Sequence, residues 1–401
     1  MRQILVHYVW LALALALIAA IVSHLVYPFV LRIARVRHFY DNPDARKLQR
    51  EPVPVLGGPV VFAGICVGTM IVLTLWFDTK PLIMLGGMAI LMAVGMWDDK
   101  RGLNSLLRFG IEILVVVTLI LVSGNMIDQF GGVFGLYQLP VAAAMPISII
   151  AGVGIINAIN LIDGVDGYSS GYIMLASILF SVLFTAARIY GLAFTCAIVA
   201  GALLPFFLHN VFGQKTKMFI GDGGTLMLGT LMTSLVFSVL RHQSMCYPWA
   251  QQHNIGLVAF CLAVLAIPVM DTLRVMTRRI LHGTSPFHAD KTHLHHLFVD
   301  MQFSHVGATL ALLTIEILIM LSWLLAWLLG GSAMTQLLVV ILVGGTLTCI
   351  LYPFMRWHQR RDSALWQAAC RLGRRTHIEG SAFWNWMQKA VDGDLFAEGK
   401  I

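Results

Sequence analysis

The chain has 401 residues, of which 58% are hydrophobic and only 12% are charged, and its mean hydropathy is +0.80. Soluble proteins average about 25% charged residues, so this composition excludes a soluble globular protein and predicts an integral membrane protein. The formal net charge is +7, and its meaning depends on where the basic residues lie. The six cysteines form no C-x-x-C pair, which argues against a disulfide framework or a cysteine metal site.

Apolar runs separated by polar or Gly/Pro-rich segments predict an all-α polytopic membrane protein with about eleven transmembrane helices. The first run is too long for a signal-peptide core and is interpreted as a retained span. The predicted spans are 4–31, 55–76, 82–97, 109–124, 141–160, 171–187, 191–208, 225–240, 255–276, 306–329 and 335–355. Residues 1–355 would then form the transmembrane domain and residues 356–401 a cytoplasmic tail. Alternating residues with two glycines between 124 and 140 predict a short hairpin.

The basic residues predict the orientation of these spans. An odd number of spans puts the two termini on opposite sides of the membrane, and cytoplasmic loops carry the excess of Lys and Arg. With the amino terminus outside, only four of the 27 basic residues lie outside, and the other 23 lie on the opposite side. Those four are Arg2, Lys80, Arg188 and Arg241. We therefore predict a periplasmic amino terminus and a cytoplasmic carboxy terminus.

Residues 157–167, N-A-I-N-L-I-D-G-V-D-G, bring polar groups to the end of the fifth predicted span. A carboxylate near hydrocarbon is costly unless it has a partner or reaches water, so acids at this depth are functional candidates. Gly164 and Gly167 would let the chain leave the helix and turn both acids toward one polar space. Turn chemistry at a helix end is the alternative. The candidates are Asn157, Asn160, Asp163 and Asp166.

Further acids and histidines fall on the same predicted side of the membrane. Asp98 and Asp99 end the third span, Asp222 precedes the eighth within F-I-G-D-G-G, and a histidine-rich loop precedes the tenth. Acids that only form turns would occur on both sides, so this clustering favours a catalytic or metal site. The glycines around Asp222 would expose backbone N–H groups at a helix start, where phosphate binds well, and Asp222 would hold a divalent cation that bridges the phosphates.

Basic segments surround these acids. The loop 285–296, S-P-F-H-A-D-K-T-H-L-H-H, is interpreted as a basic lid over a polyanionic substrate, formed by Lys291, His293, His295 and His296. A zinc site is the alternative, disfavoured because its ligand spacing is unusual and no cysteine lies nearby. Asp271 and Arg274 are interpreted as a structural pair, and Lys47 as a phosphate contact in the first loop. The basic, tryptophan-rich tail predicts a helix on the membrane surface, with no nucleic-acid binding.

The ordered motifs resemble the polyprenyl-phosphate N-acetylhexosamine-1-phosphate transferase superfamily, glycosyltransferase family 4. The resemblance covers about the first 300 residues, through Asp98-Asp99, N-A-I-N-L-I-D-G-V-D-G, F-I-G-D-G-G and D-K-T-H-L-H-H in the family order. The histidine segment is similar to the undecaprenyl-phosphate GlcNAc-1-phosphate transferase branch, which initiates O-antigen, common antigen or teichoic acid linkage units. One departure is Gln49, where the family's first-loop pattern usually has histidine.

The resemblance implies transfer of N-acetylhexosamine-1-phosphate from a UDP-sugar to undecaprenyl phosphate, with release of UMP. It implies Mg²⁺, with Mn²⁺ as an alternative, held by Asp222 and by Asp99 as second ligand. Asp98 would orient or deprotonate the lipid phosphate, or form a phospho-aspartate, and Lys47 would lie near that phosphate. The donor site would use the residues Asn157, Asn160, Asp163, Asp166, Lys291, His293, His295 and His296.

The expected location is the bacterial cytoplasmic membrane, with the active site facing the cytoplasm. The expected partners are a UDP-N-acetylhexosamine, undecaprenyl phosphate and the lipid bilayer. The sequence does not decide between a monomer and a homodimer. The alternative from another class is a cation-coupled transporter, which would place its polar residues near the middle of the membrane and show inverted repeats. The acids instead gather at one side and no repeat is evident, which favours the enzyme.

Overall fold

The computed structural model describes residues 2–41, 51–76, 80–285 and 291–393. These residues are mainly helical, as the apolar runs predict. The helices are α1 Arg2–Val36, α2 Gly57–Trp76, α3 Lys80–Arg101, α4 Ser105–Ser123, α5 Val141–Leu161, α6 Tyr168–Ala186, α7 Tyr190–Phe212, α8 Gly221–Leu240, α9 Cys246–Gln252, α10 Leu257–Val264, α11 Ala266–Leu281, α12 Leu294–Asp300, α13 His305–Leu328, α14 Ala333–Gly345, α15 Leu351–Arg360, α16 Ala364–Arg374 and α17 Ala382–Gly393.

A π-helical turn, Thr346–Ile350, joins α14 to α15, so that one continuous span runs from Ala333 to Arg360. Two short antiparallel ribbons are also present. Strand β1, Tyr40–Asp41, pairs with β2, Val53–Pro54, and strand β3, Gln129–Val133, pairs with β4, Leu136–Gln138. The second ribbon confirms the hairpin predicted between 124 and 140. Gly131 and Gly132 in β3 have φ of +61° and +87°, a region that glycine adopts without strain.

The prediction of about eleven spans agrees with the helices. Within the described ranges, ten helices are long and apolar enough to cross a membrane, and α10 with α11 forms an eleventh as a bent pair. The sequence predicted that pair as one continuous span, 255–276, but its two helices meet at an angle of 75°. The break exposes backbone groups that neighbouring helices satisfy: Tyr172 Oη donates to the Val264 carbonyl at 2.5 Å, and Ile267 N donates to Glu316 Oε2 at 3.1 Å.

Helix α8 is the buried centre of the bundle. Its small residues allow neighbouring helices to approach closely. A Cβ on Gly95 of α3 would lie 2.4 Å from the Asp222 carbonyl carbon, and a Cβ on Gly229 would lie 2.7 Å from Ile156 Cα of α5. Because α3 and α5 end where α8 begins, this packing brings three polar helix termini together. That end of the bundle is termed the site face, and the end that carries the β3–β4 hairpin is the opposite face.

The tail packs partly against the site face. The backbone N–H of Ser304 donates to Thr376 Oγ1 at 3.0 Å, and its hydroxyl donates to the Thr376 carbonyl at 2.8 Å. The ring of Phe212, at the end of α7, packs at a tilt against Trp384 of α17. Trp366 is turned inward, whereas Trp357 and Trp386 are exposed. The tail is therefore attached to the transmembrane helices through defined contacts, and it presents aromatic side chains on its outer surface as well.

Candidate active site

Asp98 and Asp99 lie on the last turn of α3, and Asp98 organises the turn into α4. Its Oδ1 accepts a hydrogen bond from the backbone N–H of Leu103 at 2.7 Å, and its Oδ2 accepts one from Arg108 Nη1 at 2.8 Å. Gly102 makes the turn with φ of +70°. The Asp98 carboxylate is thereby fixed beside the first turn of α4.

Asp222 lies at the start of α8 and is joined to both neighbouring helices. Arg108 Nη1 donates to its Oδ2 at 3.2 Å, and Asn160 Nδ2 donates to its Oδ1 at 2.9 Å. The same amide of Asn160 lies 2.8 Å from Thr225 Oγ1, which holds the amide in position. The Asp222 side chain remains 37% exposed. Since a carboxylate has about four lone-pair sites, Asp222 keeps acceptor capacity toward the solvent.

The carboxylate of Asp99 lies at the amino-terminal end of α8. Its two oxygens face the backbone N–H groups of Asp222 and Gly223, at 3.2 and 3.4 Å. Gly221 has φ of +73°, and a Cβ there would lie 2.6 Å from Asp99 Oδ2, so only glycine fits this approach. The sequence predicted a substrate phosphate at these N–H groups. In this conformation these N–H groups point at the carboxylate of Asp99 instead.

Glu112 was not singled out from the sequence, and it is the partner of Asn157. The Glu112 side chain is fully buried in α4, its Oε1 lies 3.6 Å from Arg108 Nε, and its Oε2 accepts from Asn157 Nδ2. Asn157 also donates to the Val153 carbonyl at 2.9 Å. Asn157 therefore lies one helical turn deeper than Asn160 and supports Arg108 through Glu112. This geometry favours a supporting role over the substrate contact that the sequence suggested.

Asp163 is exposed on the site face and lies near other acids. Burial of its carboxyl raises the pKa of Asp163 to about 7, and the nearby charges of Asp222, Asp166 and Asp41 act in the same direction. Ser169 Oγ donates to Asp163 Oδ1 at 2.6 Å and partly opposes that rise. This carboxyl group therefore keeps its proton to a higher pH than an ordinary aspartate does.

Asp166 has the opposite electrostatic setting. Burial by itself would raise its pKa, but the hydrogen bonds and positive charges of His305 and Lys217 outweigh that effect and hold the pKa of Asp166 below its ordinary value. Lys217 Nζ lies 2.6 Å from Asp166 Oδ2, and His305 Nδ1 lies 3.0 Å from the same oxygen. The two acids of the 157–167 stretch are thus close enough to repel each other but bind different partners.

The histidine segment packs against this stretch. Nδ1 of His293 lies 3.0 Å from Asp271 Oδ2, and Arg274 donates to Asp271 Oδ1 at 2.5 Å, so the structural pair predicted from the sequence is found. His295 is buried, and burial lowers the pKa of its imidazole. A Cβ on Gly164 would lie 2.1 Å from His295 Nε2, so glycine is needed there for the contact.

The remaining candidates lie at the edge of the site or beyond the described residues. His296 is half-buried, with its ring centroid 4.2 Å from that of His295, and Lys291 is exposed. Lys47 lies outside the part of the chain that the structure describes. Sequence reasoning missed Arg108, Glu112, Lys217 and His305. A signal existed for the first two, because an Arg and a Glu four residues apart at the start of an apolar run form a helix pair.

Two carboxylates of the site form a donor set of the kind that magnesium takes. Among the described residues, no three His, Cys, Asp or Glu side chains converge on a point where they would hold a metal by themselves. Zinc sites use three or four such ligands, whereas Mg²⁺ takes one or two carboxylates together with substrate phosphates and water. Asp222, with its exposed carboxylate, and Asp99 beside it fit that second pattern.

The fold and this site define a polytopic membrane protein with a carboxylate-rich centre at one end of its helices. Residues 81–240 match the model of the Glycosyl transferase family 4, in agreement with the resemblance seen in the motifs. The matched range contains Asp98, Asp99, Arg108, Asn160 and Asp222.

Curated relatives extend the similarity over most of the chain. An undecaprenyl-phosphate alpha-N-acetylglucosaminyl 1-phosphate transferase of Yersinia pestis is 27% identical over 267 residues, covering 66% of this chain and 70% of the relative. The enzyme of that name from Salmonella typhi is 28% identical over 270 residues, with coverages of 66% and 70%. A decaprenyl-phosphate N-acetylglucosaminephosphotransferase of Mycolicibacterium smegmatis is 28% identical over 288 residues, with coverages of 67% and 70%.

Proposed function

We propose that this chain transfers N-acetylglucosamine-1-phosphate from UDP-N-acetylglucosamine to undecaprenyl phosphate and releases UMP. The observation that carries the proposal is the network at the start of α8, in which Arg108 donates to Asp98 and Asp222 and Asn160 donates to Asp222. The names of the relatives supply the substrate class. The product would start a cell-envelope glycan of the O-antigen, common antigen or teichoic acid type.

Both substrates carry negative charge, and the site residues would manage that charge. An oxygen of the lipid phosphate attacks the phosphorus that bears the sugar, the bond between the two donor phosphates breaks, and UMP leaves. Bound Mg²⁺, held by Asp222 with Asp99 as second ligand, would offset the repulsion between the phosphates. Arg108 and Asn160 hold the Asp222 carboxylate from two sides, so its orientation is set before substrate arrives.

Asp98 would act on the lipid phosphate. Its carboxylate is oriented by Leu103 N and Arg108, which suits it to orient that phosphate or take its last proton. The second pKa of a phosphate monoester is about 6, so much of the nucleophile is already deprotonated at neutral pH and a strong base is not required. A covalent phospho-aspartate at Asp98 is the competing role, and trapping of a phosphorylated enzyme would favour it.

The donor would lie against the 157–167 stretch and the histidine segment. Asp163 and Asp166 would shape this side of the site, and Lys291 and His296, the more accessible members of the histidine segment, would contact the diphosphate or the sugar. His293 and His295 are buried against Asp271 and Gly164, which supports a role in holding the segment in place. Lys47 would contact the lipid phosphate, and the site would face the cytoplasm of a bacterial inner membrane.

A donor panel tests this function. Purified protein is incubated with undecaprenyl phosphate, Mg²⁺ and each of several radiolabelled UDP-N-acetylhexosamines, and UMP and the lipid product are measured. We expect turnover of UDP-N-acetylglucosamine, loss of turnover with a chelator, and recovery with Mg²⁺ or Mn²⁺. The Asp222→Asn and Asp98→Asn variants should lose at least ~1000-fold in rate, since each removes a charge that acts in the transition state.

The matched control is Asp300→Asn, which removes a carboxylate that pairs with Arg356 at 2.6 Å on the same face. It should retain activity within about twofold because it leaves the transition state unchanged. Retained UMP release in Asp222→Asn and Asp98→Asn would refute the assigned roles. Solute flux through proteoliposomes without nucleotide turnover would favour the transporter instead.

A further inference from the structure

A large cavity on the site face is walled in part by the tail. It has a volume of about 1060 Å³ and opens beside Asp166. One side is formed by residues of the transmembrane domain and the other by residues of the tail: Asp166, Lys217, His305, His377, Trp384 and Gln388. The tail thus faces the Asp166–Lys217 ion pair across the space in which the proposed donor would lie.

Asp392, near the end of α17, binds the turn that precedes Lys217. Its Oδ2 accepts from the backbone N–H groups of Gln214 and Lys215, at 3.1 and 3.2 Å, and its Oδ1 accepts from Thr216 N and Oγ1, at 3.1 and 2.7 Å. Successive backbone N–H groups that point the same way form a nest that binds an anion. Here the anion is a carboxylate that lies 176 residues further along the chain.

The carbonyl side of the same turn is held by α1. Tyr27 Oη donates to the Thr216 carbonyl at 2.7 Å, and Arg35 Nη2 donates to the Lys215 carbonyl at 2.5 Å. The turn is therefore fixed from two directions, by α1 through its oxygens and by Asp392 through its nitrogens. The next residue is Lys217, whose ammonium lies 2.6 Å from Asp166. The position of that ammonium depends on the turn from which it projects.

We propose that Asp392 is a positioning residue of the donor site, which fixes the 214–216 turn so that Lys217 meets Asp166 and faces the incoming nucleotide sugar. The proposal rests on the function given above, because it takes the cavity beside Asp166 as part of the donor site. Loss of the carboxylate leaves three backbone N–H groups without their acceptor. The turn then samples other conformations, and Lys217 is held in its productive position for less of the time.

The test combines hydrogen exchange with a double-mutant cycle. In Asp392→Asn, amide exchange at 214–216 should rise at least ~tenfold, because the N–H groups lose a charged acceptor. The donor KM should rise ~tenfold while kcat changes less than about twofold, because the altered turn affects binding more than chemistry. In a Lys217→Met background, Asp392→Asn should change KM by less than about twofold, since the two residues act as one unit.

Asp362→Asn is the matched control, because it removes a carboxylate from the exposed part of the tail, where its partner is Gln367. It should leave the exchange at 214–216 and the donor KM unchanged. Unaltered exchange in Asp392→Asn would overturn the proposal, and so would increased exchange with unchanged KM or with effects that add in the double mutant. Failure of the proposed function would appear earlier, as absence of turnover in the wild-type protein.

Discussion

At the residue scale, Arg108 lies among three carboxylates, and its removal should lower the activity. It donates to Asp98 and Asp222 from one nitrogen, and its Nε lies 3.6 Å from Glu112. Without this cation, three acids would repel one another in a partly buried space. We expect Arg108→Met to lower kcat/KM by ~100-fold or more, because truncating one member of a desolvated charge network leaves the others unpaired.

Arg108→Lys tests the geometry of that cation. Lysine keeps the charge but lacks the planar fork that reaches several carboxylates, so the loss should be intermediate, ~tenfold. Arg361→Met, which removes an arginine that stacks on Trp357 in the tail, is the control and should stay within about twofold of wild type. Steady-state UMP release measures all three variants. Equal activity of Arg108→Met and Arg361→Met would show that the carboxylates do not need this cation.

We expect Asp163 to make the stability of the protein depend on pH. Its ordinary pKa is 3.8 and folding raises it to about 7, so the folded state holds the proton more tightly than the unfolded state. The stabilising contribution is complete below the ordinary pKa and is lost as the pH rises through the folded value. We expect the apparent Tm in detergent to fall between about pH 4 and pH 7, and Asp163→Asn to reduce that fall.

Asp300→Asn serves as the control here as well, because Asp300 is 45% exposed and pairs with Arg356. It should retain the wild-type dependence of Tm on pH. An Asp163→Asn variant with the full wild-type fall would mean that another group on the site face carries the titration. The measurement does not require substrate, so it tests the electrostatics of the site independently of the reaction.

At the scale of elements, the contact between α3 and α8 depends on a glycine. A Cβ on Gly95 would lie 2.4 Å from backbone atoms of Asp222 and Gly223, which have no room to move in the buried start of α8. Gly95→Ala should push the helices apart and weaken the hydrogen bonds from α8 to Asp99. We expect apparent Tm to drop by several degrees and UMP release to fall at least ~tenfold, as overpacking in a core does.

The matched control lies on the same helix. A Cβ on Gly86 of α3 would have no atom within 4 Å. Gly86→Ala should therefore be neutral or stabilising by up to about 1 kcal/mol, because alanine has the higher helix propensity. Thermal unfolding followed by fluorescence, together with UMP release, compares the two variants. Similar behaviour of both would mean that the close approach of α3 and α8 is not required.

Hydropathy predicts the spans because their apolar length is set by the membrane, but it does not predict how a span is bent. The break between α10 and α11 is an example. It is stabilised by Tyr172 and Glu316, which lie on two other helices, so no local pattern in 255–276 indicates it. The same limit applies to the tail: its amphipathic composition is visible in the sequence, whereas the contact between Asp392 and the 214–216 turn depends on residues far apart in the chain.

The candidate site was partly predictable for a related reason. Asp98, Asp99 and Asp222 stand out because acids at span ends are uncommon, and Asn160 stands out beside them. Lys217 does not, and Arg108 is marked only by its spacing from Glu112, since basic residues at the predicted cytoplasmic side also serve to orient the protein. Their partners were needed to distinguish them: Arg108 contacts Asp222, and Lys217 contacts Asp166. A motif gives the type of residue, whereas the role of a counter-ion depends on long-range packing.

At the scale of the whole molecule, the orientation in the membrane is a prediction that rests on charge. The site face carries Asp98, Asp222 and Arg108, and the opposite face carries the β3–β4 hairpin with the exposed Tyr137. Both proposed substrates would be reached from the cytoplasm, so the distribution of Lys and Arg and the chemistry of the site require the same orientation. In the opposite orientation the site would face the periplasm, away from the supply of nucleotide sugar.

Cysteine labelling in intact cells tests that orientation. In a background in which the six native cysteines are replaced and UMP release is retained, Tyr137→Cys on the opposite face and Arg361→Cys in the tail provide one exposed thiol each. A membrane-impermeant maleimide, once the outer barrier is permeable to it, should modify Tyr137→Cys in intact cells and Arg361→Cys only after lysis. The reverse pattern would place Asp222 and its neighbours on the periplasmic side, where no supply of UDP-sugar is expected, and would overturn the proposed reaction together with the orientation.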